Sequence, residues 1–173
     1  MNKQSLIVLC LMVIVSVVGC KSSKKKRQSY LQSAYIELKD SLPEADVSIL
    51  RDSIKVIFPD NIMFNINESE IIEPFVAKIF RFAQILNKYS KTNILITGHT
   101  DDSGTEEFNS KLSGDRAMRV KEKLTSLKVQ PDRIFTWGIG SKSPILPNTT
   151  IEGRAKNRRV EFIILYNSKE NDD

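Results

Sequence analysis

The stretch NILITGHTDDSG, residues 93–104, places an uninterrupted apolar run directly before a polar loop. Its first six residues are typical of a central strand, since strands inside a sheet carry near-continuous apolar side chains. His99, the only histidine of the chain, follows with the carboxylates of Asp101 and Asp102, and Gly104 permits a tight turn. The stretch therefore predicts a buried strand that ends in a polar loop, which could be a catalytic site, a metal site, a binding pocket or only a turn.

Helices are predicted on both sides of this strand. Before it, Pro74 lies near the first turn of a helical apolar repeat, where a missing N–H costs little. After it, a second helix begins beyond Gly104, and both apolar stripes are interpreted as core. The residues expected in these stripes are Phe75, Ile79, Phe82 and Leu86 in the first helix, and Phe108, Leu112, Val120, Leu124 and Leu127 in the second.

Further strands are predicted on both sides of these helices. VSILRDSIKVIF, residues 47–58, alternates in a way that predicts a hairpin or a strand edge leading into IMFNI. Asp132 to Gly138 and RVEFIILY, residues 159–166, predict two more strands. Helices that return the chain between strands imply an α+β two-layer sandwich, with a mixed β-sheet and helices packed on one face.

The chain length allows one domain and a tail, and a hydrophobic content of 40% is enough for a packed core. The domain is assigned to residues 46–167. Ahead of it, residues 29–42 have apolar side chains at helical spacing and end at Pro43, which predicts a short amphipathic helix between tail and domain. Residues 168–173 are predicted to be disordered.

Three blocks of the sequence have motifs at fixed spacing: GHTDDSGTEEFNSKLSGDRAMRVKEKL (98–124), GIGSKSP (138–144) and NTTIEGRAKNRRVEF (148–162). Together they resemble the OmpA C-terminal-like domain family, which includes the peptidoglycan-associated lipoprotein. The resemblance runs from roughly Pro59 to Tyr166. It implies an OmpA-like β-α-β-α-β order and non-covalent binding to the diaminopimelate residue of the peptidoglycan stem peptide. The matched positions are Thr100, Asp101, Gly104, Asn109, Leu112, Ser113, Arg116, Ala117, Asn148, Thr150, Glu152, Gly153, Arg154, Asn157, Arg158 and Arg159.

The resemblance assigns peptidoglycan-binding roles to five residues: Asp101, Arg116, Asn109, Arg158 and Asn67. In it, Asp101 takes the ammonium of diaminopimelate and Arg116 takes the carboxylate, since a guanidinium can donate two parallel hydrogen bonds. Two simpler interpretations stay open. Asp101 could be a carboxylate that favours the start of a helix, and Arg158 could pair with a neighbouring acid. Gly114 departs from the family pattern and costs the helix up to about 1 kcal/mol.

Other chemistries of the loop lack the required residues. His99 without cysteines or further histidines does not make a zinc site, and it is interpreted as a structural residue hydrogen-bonded at the strand end. DDSG lacks the spacing of a calcium loop, and in GIGSKSP Ser143 replaces the third glycine of a dinucleotide loop. No nucleophile has a justified histidine partner, and no acid pair stands out. We expect no metal, no cofactor and no enzymatic activity.

The N-terminus has the features of a secretion signal. Lys3 precedes an apolar run from Leu6 to Val18, which is short for a membrane-spanning helix. VVGC, residues 17–20, closes the run and resembles the lipobox of bacterial lipoproteins, although Val17 replaces the usual leucine. The resemblance implies a signal peptide over residues 1–19 and acyl chains on Cys20, and an ordinary anchor or a coincidental cysteine is the alternative. Cys10 would leave with the signal, so no free thiol would remain.

The net charge of +5 is concentrated near this cysteine. Lys3 and the five basic residues of KSSKKKR, residues 21–27, account for six positive charges, so the chain from Gln28 onward has one net negative charge. A nucleic-acid-binding domain would carry its positive charge on the domain, and no nucleic-acid partner is predicted. The basic run would either lie against anionic headgroups or form a solvated linker.

These observations predict a protein anchored by lipid in the cell outer membrane, with its domain facing the periplasm and tethering the membrane to peptidoglycan. Residues 20–45 would hold the lipidated cysteine, the basic linker and the short helix. By analogy with lipoprotein sorting, Lys21 after Cys20 is compatible with the outer membrane. Two other functions stay open. The chain could be the wall-anchoring subunit of an envelope machine, with protein partners in a secretion or motility complex, or a wall-remodelling enzyme.

Overall fold

The computed structural model describes residues 24–167. The predicted signal peptide, Cys20 and the predicted disordered tail lie outside them. The strands are β1 (Asp46–Leu50), β2 (Ser53–Pro59), β3 (Thr92–His99), β4 (Ile134–Gly140) and β5 (Arg159–Tyr166). The helices are α1, which is helical throughout residues 24–41, α2 (Glu73–Lys88), α3 (Glu106–Ser126) and α4 (Ile151–Asn157). Short 3-10 turns follow β2 and precede β4.

The five strands form one mixed sheet in the order β1-β2-β5-β3-β4. All neighbouring pairs are antiparallel except β3 and β4, which run parallel. The predicted mixed sheet and α+β class are confirmed, and residues 47–58 form the expected hairpin. Several boundaries differ from the sequence prediction, among them the start of α1, which is already helical at residue 24 instead of beginning at residue 29. IMFNI, residues 62–66, contributes one isolated bridge from Phe64 to Ile71, and β4 begins only at Ile134, after the turn Pro131–Arg133.

The core lies between the sheet and the helices. Four aromatic rings at its centre, Phe58, Phe75, Phe82 and Phe162, make edge-to-face contacts with centroids 4.9–5.8 Å apart. Such contacts stabilise beyond the burial of the rings themselves. The apolar stripe predicted for α2 is confirmed, since Phe75, Ile79, Phe82 and Leu86 are buried.

The prediction for α3 is wrong at its start, because Phe108 is 45% exposed. The first half of α3 instead buries Asn109, Ser113 and Arg116, and its apolar burial begins at Ala117. Polar side chains replace apolar ones there because this part of α3 faces a polar cleft at the end of the sheet.

Helix α1 belongs to the same core. Its buried side chains Leu31, Ala34 and Leu38 join the core cluster, as does Leu42 just beyond it. Glu37 accepts hydrogen bonds from Lys88 and Tyr89, at the C-terminal end of α2. The packed core therefore extends to residues ahead of the predicted domain boundary at residue 46. No helix within the described part of the chain is both long and apolar enough to cross a membrane.

Helix α3 lies unusually close to β3 and β4. A methyl group at Gly98 would overlap the backbone carbonyl of Ser113, and one at Gly138 would lie 2.6 Å from the backbone nitrogen of Gly114. Ser113 also accepts a hydrogen bond at its hydroxyl from the backbone N–H of Gly140. The absence of side chains on the two strand glycines thus sets the distance between helix and sheet. Gly114 itself has open space around it, and α3 continues through it.

The two glycine environments predict opposite effects of adding a methyl group. Gly98→Ala should lower the free energy of unfolding by about 3 kcal/mol, because backbone must move to make room. Gly114→Ala should raise it by up to about 1 kcal/mol, because alanine is the better helix former and meets no neighbour. Urea denaturation of the two variants measures both effects. Equal effects would contradict this account of the helix–sheet contact.

Candidate functional site

A cleft of about 640 Å³ opens at one end of the sheet, where β2 and β3 end and β5 begins. Its walls are the loop after β3, the first half of α3 and the segment between β2 and α2. All five residues proposed from the sequence line it: Asn67, Asp101, Asn109, Arg116 and Arg158. The structure therefore brings together residues that are up to 91 positions apart in the chain.

Asp101 lies in the loop after β3 and is 7% exposed. One carboxylate oxygen accepts a hydrogen bond from the backbone N–H of Ser103 at 2.9 Å, and the other accepts from Arg158 at 2.6 Å. Burial by itself would raise the pKa of Asp101, but these hydrogen bonds outweigh it and the pKa is lowered. Asp101 does not cap α3, because Thr105 accepts the capping hydrogen bond from Phe108.

Arg116 is the fixed cation of the cleft, with only 3% of its surface exposed. Its Nε donates to the carbonyl of Glu68 at 2.9 Å, and one terminal nitrogen donates to Asp60 at 2.9 Å. The guanidinium lies 5.0 Å from the ring centroid of Phe64, a cation–π contact. These contacts tie α3 to the segment between β2 and α2 and hold the guanidinium in one place.

Asp60 also lines the cleft and was not among the residues proposed from the sequence. It is 5% exposed and bridges the two arginines, at 2.9 Å from Arg116 and 3.6 Å from Arg158. Burial raises the pKa of Asp60, against the attraction of the arginines, and burial also lowers the pKa of Arg116. An acid directly after an apolar strand was the only available sequence signal, and it did not reveal the partner.

Arg158 connects the two acids and is the most exposed charge of the four, with 37% of its side chain accessible. Arg158 directly follows α4. Asn157, the last residue of α4, holds the loop between β4 and α4 by accepting hydrogen bonds from the backbone N–H groups of Ile145 and Leu146. Asp60, Asp101, Arg116 and Arg158 therefore form a charge-balanced tetrad.

The two asparagines occupy different positions in the cleft. Asn109 is 3% exposed, and its amide donates to the carbonyl of Ser103 at 2.9 Å, so it supports the Asp101 loop from below. Asn67 lies exposed on the rim with a φ of 60°, a left-handed conformation that asparagine tolerates better than most residues. Ile66 beside it is 89% exposed. The rim thus presents an amide and an apolar side chain to solvent.

His99 lies outside the cleft, buried beside Thr97 and Glu161. Its Nε2 is 3.1 Å from the hydroxyl of Thr97 and 4.0 Å from a carboxylate oxygen of Glu161, which Lys55 and Arg159 also contact. Burial, and then the charge of Arg159, lower its pKa to about 4. It is hydrogen-bonded at the strand end, as predicted. Residues 24–167 contain no group of three or more potential metal ligands.

The OmpA family profile matches residues 63–158, more than half of the chain. The chain belongs to the OmpA family. The resemblance seen in the sequence is thereby confirmed. The matched region contains all five candidate residues, from Asn67 to Arg158, and the whole of α2, α3 and α4.

OmpA-family relatives include the "Probable lipoprotein YiaD" of Escherichia coli, 33% identical over 137 residues, which cover 78% of this chain and 63% of the relative. The cell wall anchor of the T6SS from Pseudomonas aeruginosa superposes with a TM-score of 0.68 and 27% identity, covering 79% of this chain and 96% of that one. The peptidoglycan-associated lipoprotein from Burkholderia pseudomallei superposes with a TM-score of 0.55 and 27% identity, covering 59% of this chain and 86% of that one. The chain spans less than two thirds of the length of YiaD.

The lowered pKa of His99 predicts a pH-dependent stability in this OmpA-like domain. Its ordinary value is 6.5 and its folded value about 4, so between these limits the unfolded chain binds a proton that the folded chain does not. Stability should therefore fall as the pH decreases, by roughly 1.5 kcal/mol between pH 6.5 and 5. Urea denaturation at these two pH values measures the change, and His99→Asn should remove most of it. An equal loss in the variant would assign the effect to another group.

Proposed function

We propose that the cleft binds the zwitterionic end of diaminopimelate in the peptidoglycan stem peptide. This ligand has an ammonium and a carboxylate on one carbon, and it requires an anion and a cation close together. The observation that carries the proposal is the contact between Asp101 and the half-exposed Arg158, 2.6 Å apart in an open cleft. The names of two similar structures, a cell wall anchor and a peptidoglycan-associated lipoprotein, support the same ligand.

Binding would proceed by insertion into this ion pair. The ammonium of the ligand replaces the guanidinium of Arg158 at Asp101, and the released Arg158 pairs with the ligand carboxylate. One ion pair is lost and two are formed, so every charge keeps a partner throughout. Because the tetrad is neutral before and after, a zwitterion satisfies it and a simple cation or anion leaves one group unpaired.

Arg116, to which the resemblance assigned the ligand carboxylate, would share that carboxylate with Arg158 and form the fixed wall of this site. Three of its N–H groups are engaged by Glu68, Asp60 and Asn65, which leaves one N–H on each terminal nitrogen to help hold the carboxylate. Asp60 contacts both arginines. In this scheme Asn109 supports the loop, and Asn67 contacts the stem peptide from the rim.

Anchoring in the outer membrane through a lipidated Cys20 completes the proposed function. The lipobox resemblance and the lipoprotein names of two similar proteins support it. Many anchored copies facing a polymer of repeated stems would hold the wall firmly even if each domain binds weakly. The protein would act as a binder without enzymatic activity.

A second candidate function is that of a wall-anchoring subunit in a larger envelope machine. The observation that favours it is the similarity to the T6SS cell wall anchor, with 79% of this chain covered. In both roles the cleft would bind the stem peptide of the wall in the same way. Stoichiometric co-purification of envelope proteins after mild crosslinking and wall digestion would favour the subunit.

The insertion scheme predicts different effects at two neighbouring carboxylates. Asp101→Asn should weaken binding of a diaminopimelate-containing stem peptide by about tenfold to a hundredfold, because a charge-assisted hydrogen bond is lost. Asp102→Asn removes the same charge from an exposed neighbour that does not line the cleft, and it should leave affinity unchanged. Titration calorimetry measures both. Acylating the amine of free diaminopimelate should abolish its competition for wall binding by the wild-type protein. Binding of the stem peptide by Asp101→Asn as tightly as by wild type would refute the scheme.

The anchoring proposal predicts that Cys20→Ser separates location from binding. The variant should lose membrane attachment after signal removal and a salt wash, while still sedimenting with purified peptidoglycan. Membrane fractionation and wall sedimentation measure the two properties on the same sample. Retention in the membrane by a processed chain that lacks the cysteine would exclude the lipid anchor.

A further inference from the structure

The end of the sheet opposite the cleft is basic. There the first turns of α1 meet the turn between β1 and β2 and the entry to β3. We call this surface the basic pole and define it by six residues: Lys24, Lys25, Lys26, Arg27, Arg51 and Lys91. All except the half-buried Arg27 are exposed, and within residues 24–167 none of the six forms an ion pair with an acid.

The basic pole is part of the rigid domain. Tyr30 of α1 makes edge-to-face contacts with Tyr89 and Tyr166, at centroid distances of 5.4 and 5.5 Å. Its hydroxyl also accepts a hydrogen bond from the backbone N–H of Lys91 at 3.1 Å, and Leu31 is buried. The lysines at the start of α1 therefore project from a helix that is packed against the domain, and they do not belong to a linker.

The basic pole and the cleft face opposite directions. Ser53 of β2 pairs with Leu165 of β5 near the basic pole, whereas Pro59 pairs with Arg159 beside the cleft. Strands of this length separate the two ends by roughly 20–25 Å. A surface that binds the basic pole would therefore leave the cleft accessible on the far side.

The covalent chain brings the basic pole close to the anchor. Four residue steps join Cys20 to Lys24, and a fully extended chain would span at most about 14 Å over that distance. This step rests on the proposed lipidation of Cys20. An acylated Cys20 would keep the pole within reach of lipid headgroups, and basic residues near an anionic leaflet are attracted to it.

We propose that the basic pole docks on an anionic phospholipid surface and orients the domain with its cleft turned away from the membrane. The occupant is a membrane, because the pole is an exposed set of cations beside the proposed lipid attachment site. Asp52 lines the same surface as these six basic residues, and one acid among them leaves a net positive charge. Wall binding would then occur at the far end of a domain that lies directly on the membrane.

Vesicle binding tests the proposal without the lipid anchor. The protein used is residues 20–173 with Cys20→Ser, which retains the whole described core. It should co-sediment with phosphatidylcholine vesicles that contain phosphatidylglycerol, and it should not co-sediment with phosphatidylcholine alone. Lys24→Gln, Lys25→Gln and Lys26→Gln together should lower the partition coefficient on the order of 100-fold, at about fivefold per charge. High salt should also lower the partition coefficient, because it screens the attraction between the lysines and the anionic lipid.

A matched triple variant controls for net charge. Lys111→Gln, Lys142→Gln and Lys156→Gln remove three exposed charges near the cleft end and should leave vesicle binding unchanged. Equal losses in both triple variants, or equal binding to neutral and anionic vesicles, would overturn the proposal. Wall sedimentation of the same preparations tests the cleft separately. If the protein with all its lysines intact does not sediment with the wall, the proposed function is refuted. The vesicle result still decides whether the basic pole binds an anionic membrane.

The orientation has its own measurement in the lipidated protein. A fluorophore on Gln28→Cys should be quenched by lipids that carry a nitroxide on the headgroup, whereas one on Glu152→Cys of α4 should not. Both positions are exposed, and Cys20 would be blocked by its acyl group. Equal quenching of the two labels in anionic vesicles would contradict the proposed orientation.

Discussion

The contact between α3 and the two strand glycines is the constraint on which the remaining geometry depends. Backbone meets backbone at Gly98 and Gly138, so the helix cannot rotate or lift without losing the contact with Ser113 and Gly114. Close-packed protein interiors have low compressibility and transmit such constraints to neighbouring residues. The contact therefore fixes where Asn109 and Arg116, which lie about one turn from Ser113, project into the cleft.

The cleft combines two kinds of charge. Asp60 and Arg116 are buried and mutually paired, and backbone carbonyls hold the guanidinium, so the two behave as part of the architecture. Asp101 is nearly as buried as Asp60, but its partner Arg158 keeps over a third of its side chain exposed. Removing one member of a buried pair leaves an uncompensated charge, whereas exchanging one partner for another of the same sign does not. The proposed zwitterionic ligand would exchange partners with Asp101 and Arg158 and leave the buried pair of Asp60 and Arg116 in place.

The sequence alone was sufficient for most of the secondary structure and for the family. The apolar run before His99 and the α2 stripe are local periodicities, and local periodicity decides which face of an element is buried. The fixed spacing of Asp101, Asn109 and Arg116 lies within one loop and one helix, so their convergence follows from short-range geometry. Phe108 shows the limit of that reasoning. Its helical spacing predicted burial, but no core surrounds it in the fold and it is exposed.

The tertiary structure alone decided how the charges are paired and where α1 belongs. Asp60 and Arg116 are 56 residues apart, and Asp101 and Arg158 are 57 apart. No sequence pattern selects among the acids available to each arginine, because the choice depends on which strand ends meet at one edge of the sheet. The same holds for the start of α1, whose lysines have the composition of a solvated tail. Its position on the domain is set by the packing of Tyr30 and Leu31 against residues far along the chain, because only the folded sheet brings those residues to the same end of the molecule.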